Sequence, residues 1–199
     1  MEFNNPTPPD DIMKAISSGD INAMNKNGIT QEMRIQIYSG LLANTPIIMD
    51  DEIANIYQLF LKHAEGYTLG INLQNGQVVN THMLSVPEKI MVDSFVTLDF
   101  SCGLKLQCTP TTQILAVTKN GKREFIHASS LEKGQTVMGF GIRGDNGIGI
   151  REFKLLDKVE EHNVLGIPAY FFISEHENIF IPHEGGIDGD VLSFIVVHQ

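Results

Sequence analysis

The chain has 199 residues, 42% of them hydrophobic and 19% charged, which suits one folded domain with a sizeable core plus a smaller appendage and excludes disorder throughout. A formal net charge of -10, with no run of Lys and Arg, excludes general binding to nucleic acid and to anionic membranes, because both present phosphate charge. Two cysteines, Cys102 and Cys108, are too few for a disulfide framework, and no CxxC pair or Cys/His cluster suggests a structural zinc site.

Residues 1–10 (MEFNNPTPPD) hold three prolines and two asparagines and read as a flexible tail. They lack the basic stretch and apolar run of a cleavable signal peptide, and no later segment reaches the ~18 apolar residues of a membrane span. The expectation is a cytoplasmic chain, or one delivered without a cleavable signal peptide. Residues 11–63 read as a helical N-terminal region. Asp10 or Asp11 caps a first helix that Gly19 ends, and Thr30 caps a second that carries Ile35, Ile37, Leu41 and Leu42. Asp50 opens a third, DDEIANIYQLFLKHAEG, whose Ile53, Ile56, Tyr57, Phe60 and Leu61 recur at helical spacing.

After Gly66 the period changes. TLGINL, the turn QNGQ and VVNTHML predict a hairpin, with Asn75-Gly76 as its two-residue turn. IMVDSFVTLDF and LKLQCT read as strands around a turn at Ser101 to Gly103. ILAVT, KNGK and REFIHA make another hairpin. LEKGQTVMGF adds a turn and a strand. The glycine-rich GFGIRGDNGIGI reads as a loop or flexible hairpin, and its Arg143-Gly144-Asp145 as a chance tripeptide. FKLLDKVEEHNV, AYFFISEHENIFI and VLSFIVVHQ complete the strands. Many short strands with regular turns predict a compact all-β fold, so the whole is mainly β with a helical region before it.

Residues 97–138, TLDFSCGLKLQCTPTTQILAVTKNGKREFIHASSLEKGQTVM, carry Thr109-Pro110, Ile114-Leu115, Asn120-Gly121, Ala128, Lys133-Gly134 and Val137 in a definite order. The C-terminus closes with Val196-Val197-His198-Gln199. This order resembles the central segment and the VVHN ending of a Hint (hedgehog/intein-type) self-processing domain, in a degenerate intein-like form spanning residues 64–199. The resemblance implies single-turnover autoprocessing, in which a first-residue Cys or Ser attacks the preceding carbonyl. A TPxH motif supplies a threonine that orients the amide and a histidine that protonates the leaving amine.

On that resemblance Ala64 stands at the position of the missing nucleophile. Thr109 matches the helper threonine, and Thr112 replaces the helper histidine. Glu177-Asn178 replaces a downstream His-Asn pair, with His176 beside it. His198 and Gln199 fill the terminal pair, where Gln199 would cyclise to a glutarimide with His198 as acid and release whatever follows. No cofactor is expected. The partner is then the flanking polypeptide of the chain itself, and the helical region offers a possible contact for another protein.

Two other functions compete. Substituted helper positions favour a non-catalytic protein-interaction module on the same fold. A small cysteine hydrolase would use Cys102 or Cys108 with His127, His162, His176 or His183 as base. His176, His183 and Glu184 match no common metal-site spacing.

Overall fold

The computed structural model describes residues 40–50, 52–143, 147–185 and 190–198. The expected tail, the first helix, most of the second and Gln199 lie outside them. The described chain is mainly β. Leu41 and Leu42, expected to end the second helix, are instead a strand, β1 (Leu41–Leu42). It is followed by the hairpin of β2 (Pro46–Met49) and β3 (Glu52–Asn55).

The third expected helix is thereby cut short. Its first half is the turn at Asp50 and β3, and only α1 (Ile56–Leu61) is helical. Asn55 starts it, because its side chain accepts from the Gln58 N–H while the Gln58 side chain accepts from the Asn55 N–H. The helical spacing misled because it ran across this boundary: Ile53 is 48% and Leu61 58% exposed, while Ile56 and Leu59 are buried.

The hairpin of β4 (Tyr67–Asn72) and β5 (Gln77–His82) forms where Asn75-Gly76 predicted it, but Asn72 pairs with Gln77 across a four-residue loop. The Asn72 side chain accepts from the Gln74 N–H and the Gly76 N–H bonds the Asn72 carbonyl, which moves the turn upstream.

The remaining strands are β6 (Glu88–Val92), β7 (Phe95–Phe100), β8 (Lys105–Cys108), β9 (Gln113–Val117), β10 (Arg123–His127), β11 (Thr136–Ile142), β12 (Ile148–Glu161), β13 (Ile167–Phe171), β14 (Asn178–Glu184) and β15 (Leu192–His198). A short 3-10 turn, Ala128–Ser130, follows β10. Together with β1 they form one 11-stranded sheet in the order β10-β9-β15-β11-β12-β7-β8-β1-β13-β6, with β14 beside β15.

The strand β12 belongs to both halves of this sheet. Ile148 to Lys154 pair with β11, the register shifts between Leu155 and Asp157, and the rest pairs with β7. Such an irregularity bends and twists a strand, so the sheet folds back around its core. Alternation sorts the side chains. Val96, Leu98 and Phe100 of β7 point inward and Thr97 and Asp99 outward.

The strands β14 and β15 are apolar on both faces because each face has a core. Ile179, Ile181, Ile195 and Val197 enter the large cluster around Leu98 and Phe153. Phe180, Phe194 and Val196 enter a second cluster with Phe140. Gly139 permits this closeness, since a Cβ there would overlap the Phe194 carbonyl and the Phe153 ring. Asp190, its side chain fully buried, receives two 2.8 Å hydrogen bonds from Arg151 and ties the entry of β15 to β12.

Candidate functional site

The turn between β8 and β9 is Thr109-Pro110-Thr111-Thr112. Pro110 has no N–H to give a ladder, so the chain turns there. The Thr112 N–H donates to the Thr109 carbonyl at 3.0 Å. Behind it the Ala128 N–H donates to Thr112 O at 2.7 Å, and the Ser129 N–H to Pro110 O at 3.1 Å. The turn is therefore held against the 3-10 turn. Thr109 and Thr112 are buried, at 3% and 0% exposure.

A buried hydroxyl needs partners, and these two find them on Gly40. Leu41 of β1 pairs with Cys108 of β8, which carries Gly40 over the turn. The Gly40 N–H donates to Thr109 Oγ1 at 3.3 Å. The Gly40 carbonyl accepts from the Thr109 N–H at 2.8 Å and from the Thr112 hydroxyl at 3.0 Å. The two hydroxyls lie 3.0 Å apart, with Thr111 Oγ1 3.3 Å from Thr109 Oγ1. Thr109 thus touches the nitrogen of the peptide bond that enters Gly40, while Gly40 contributes no side chain.

Ala64 stands elsewhere in the chain's bonding. It follows α1, its N–H donates to Leu59 O at 3.0 Å, and it packs, half-buried, on the large core. The threonine hydroxyls meet Gly40 and not Ala64.

The strand β15 arrives beside the same turn. Val197 of β15 pairs with Ile114 of β9. This register brings His198 to the level of Gln113, one residue past Thr112. The His198 ring meets Phe125 of β10 edge-on, with centroids 5.3 Å apart and planes at 77°. Its Nδ1 is buried with no hydrogen-bond partner among the described residues. Burial pushes the imidazole below its ordinary value, and the charge of Glu177 pushes it partly back. Gln199 lies outside the described residues.

His176 and Glu177 form the approach to β14. The His176 N–H donates to Thr81 Oγ1 at 3.0 Å, and the ring Nδ1 lies 3.3 Å from the same hydroxyl, which turns this histidine toward β5. Glu177 has φ 56°, a left-handed conformation uncommon for a residue with a Cβ. The next residue, Asn178, is fully buried. Its side chain accepts from the Ile71 N–H at 2.7 Å and donates to Ile71 O at 2.9 Å and to His176 O at 2.7 Å.

Cys102 and Cys108 are buried free thiols. Burial pushes Cys108 up to about 12, against a smaller opposing effect of its hydrogen bond with Thr112, and raises Cys102 as well. A thiol so protonated is a poor nucleophile at neutral pH. Among the described residues no three His, Cys, Asp or Glu side chains converge to hold a metal.

Solved structures share the fold that brings these segments together. An intein from a hyperthermophile superposes with a TM-score of 0.63 at 14% identity, covering 81% of this chain and 99% of that one. The fold is that of an intein. The DnaB intein of Synechocystis sp. PCC 6803 matches with a TM-score of 0.58 at 13% identity, over 81% of this chain and 98% of its own. The bacterial intein-like domain from Clostridium thermocellum matches with 0.55 at 15% identity, over 80% and 98%. No family model matches the sequence, and no curated protein matches it.

Within this intein-like fold the residue that Thr109 and Thr112 bond, and that sequence reasoning did not single out, is Gly40. Gly40 is followed by Thr45 and the strand Pro46–Met49, and Ala64 by Thr68 within its own strand, so a nearby threonine does not separate the two positions. A glycine offers no chemistry to notice, and the helical spacing around Leu41 and Leu42 hid the strand.

Proposed function

We propose that the chain is an intein-like self-processing domain that begins at Gly40, has lost its N-terminal step, and cleaves the peptide bond after Gln199. The observation that carries this reading is the convergence of Gly40 and His198 on the Thr109–Thr112 turn. At the N-terminal end the framework is kept and the reactive group is missing. Thr109 holds the amide of Gly40, yet glycine has no Oγ or Sγ to attack the preceding carbonyl. Thr112 bonds the Gly40 carbonyl, and a hydroxyl cannot protonate a leaving amine as an imidazolium does.

The C-terminal end keeps its reactive residues. The Gln199 side-chain nitrogen attacks its own main-chain carbonyl carbon and closes a six-membered glutarimide. The bond to the following nitrogen breaks, and His198 protonates that nitrogen as it leaves. The flanking polypeptide is the substrate, and the reaction is a single turnover. Pairing with β9 and packing on Phe125 hold the imidazole still at that junction, which lowers the entropic cost of the step.

One observation favours the non-catalytic alternative: Thr109 and Thr112 already bond the Gly40 backbone and each other, so this end is a structural joint. The cysteine hydrolase is disfavoured by the burial of both thiols.

The deciding experiment extends the chain by a short Ser-led peptide after Gln199 and follows intact mass over time, beside His198→Ala. A mass shift to the chain ending at Gln199 or its cyclised form, absent in His198→Ala, supports cleavage. An unchanged mass in both chains rejects it and leaves the inert scaffold.

A further inference from the structure

Two turns of this chain share the dipeptide Asn-Gly and differ in what surrounds it. Asn75-Gly76 joins β4 to β5 within QNGQ, and Asn120-Gly121 joins β9 to β10 within KNGK. Asn27 and Asn146 also precede glycines but lie outside the described residues. Both pairs are exposed. Gly76 and Gly121 have φ 71° and 77°, and nothing lies within 4 Å of where a Cβ would stand on either. Their N–H groups are tied back alike, Gly76 to Asn72 O at 2.8 Å and Gly121 to Thr118 O at 2.9 Å. The backbones are therefore matched, and neither glycine has a side chain to hinder approach to its nitrogen.

The asparagine side chains are not matched. Asn75 Oδ1 accepts from the Gln77 N–H at 3.0 Å, and Asn75 Nδ2 donates to Gln77 Oε1 at 3.3 Å. The Asn75 amide must give up both bonds before its carbon can turn to the Gly76 nitrogen. The Asn120 side chain makes no hydrogen bond among the described residues and turns without that cost. Charge differs in the same sense. Gln74 and Gln77 are neutral, whereas Lys119 and Lys122 flank the second pair. Lys119 is engaged by Glu132 at 3.2 Å, which leaves Lys122 as the cation beside Gly121. A neighbouring cation favours the deprotonated form of a group.

We propose that Asn120 is a site of covalent self-modification, where the Gly121 nitrogen closes on the side-chain amide and water converts the residue to an acid, while the fold protects Asn75 from the same reaction. The Gly121 N–H gives its proton to hydroxide. Its nitrogen bonds to Asn120 Cγ, the Cγ–Nδ2 bond breaks, and Nδ2 leaves as ammonia with a proton from water. Holding both groups in one dipeptide makes the attack intramolecular. Water opens the resulting five-membered succinimide at either carbonyl, giving aspartate or, with the chain rerouted through Cγ, isoaspartate. In sum, an amide and water become an acid and ammonia. The product places a carboxylate between Lys119 and Lys122 at the exposed tip of the β9–β10 hairpin. This modification is independent of any cleavage of the chain.

The test incubates the full chain at mildly alkaline pH, native and in guanidinium chloride, and follows the peptides holding Asn75 and Asn120 by mass. Native Asn120 is expected to convert roughly tenfold faster than native Asn75, which has two neutral hydrogen bonds to release. In guanidinium chloride, which unfolds the turns and screens charge, the two rates should converge. Asn120→Gln, which lengthens the ring to be closed, should abolish the gain in its peptide without altering the native amide spectrum elsewhere. Equal native rates, or a faster Asn75, would overturn the proposal. So would a difference that persists unchanged on unfolding, since the folded turns would then not cause it. Native Asn120 unreacted over the time in which the unfolded chain converts would show that its turn protects it, and would overturn the proposal as well.

Discussion

Two regions of the molecule, around Gly40 and around His198, adjoin the Thr109–Thr112 turn and are equipped differently. At Gly40 two buried threonines hold the backbone through three hydrogen bonds, but the residue they hold has no side chain. At His198 a side chain suited to proton transfer is present, with a buried nitrogen that nothing described satisfies. On the proposed reading, the difference teaches that a processing framework and its reactive groups can be separated. The framework rests on strand pairing and burial spread over many residues, so losing one nucleophile leaves it standing. The chemistry rests on single atoms and does not survive their loss.

The sharpest way to break this comparison is to re-equip the N-terminal end. Gly40→Cys with Thr112→His should release residues 1–39 on addition of a small thiol, read by mass, where the unchanged chain releases nothing. Gly40→Cys alone should be slower by on the order of 10²- to 10⁴-fold, because the leaving amine then lacks its acid. Release from neither variant would mean that the Thr109–Thr112 turn does not mark a junction.

Next in size, the shared framework should fail as a unit. Phe153 is fully buried in the large core, and Phe153→Ala should cost about 3–5 kcal/mol in denaturant unfolding. Cleavage after Gln199 should fall along with the folded population. A variant that loses stability at one end only, seen by amide exchange, would separate what we join.

A smaller change should touch one end alone. Thr109→Val removes the acceptor of the Gly40 N–H and a partner of Thr112 inside a dry site, and should cost about 1–3 kcal/mol. Amide exchange at Gly40 and Leu41 should quicken, while release after Gln199 in the folded protein should hold its rate.

Acidity sharpens the same contrast. The His198 imidazole is held below its ordinary value of 6.5, so the unfolded chain binds its proton more readily. Its contribution to stability is therefore complete above pH 6.5 and is lost as pH falls through the folded value. Cleavage should run the other way, rising as pH falls and the ring gains its proton. Unfolding and release followed over the same pH series check both slopes, and His198→Ala should flatten them.

The smallest expected effect is an absence of reaction. Cys108, pushed up to about 12 and fully buried, should resist thiol reagents in the native protein at neutral pH and label only on unfolding.

What the sequence could tell divides by range. Strand alternation, turn residues and the order of pieces from Thr97 to Val137 are local, and they sufficed for the mainly β class and the intein likeness. The β9–β10 hairpin, with Val117 opposite Arg123, lies where KNGK predicted a turn. Helix spacing was less informative in residues 52–61, because four residues of strand and six of helix together imitate one longer helix. Thr109 and Thr112 were legible as a motif. Their object was not, since Gly40 lies 69 and 72 residues away in the chain.

By itself, then, the sequence determined the fold class, a formal net charge of -10 and the His198-Gln199 pair. The tertiary structure alone decided that Thr109 and Thr112 bond Gly40, that β15 pairs with β9 next to their turn, and that Asn178 pairs with His198. The reason is physical. Local pattern reflects the backbone's preference over a few residues, whereas a site is made by strand pairings between distant segments, and only burial of the common core selects those pairings.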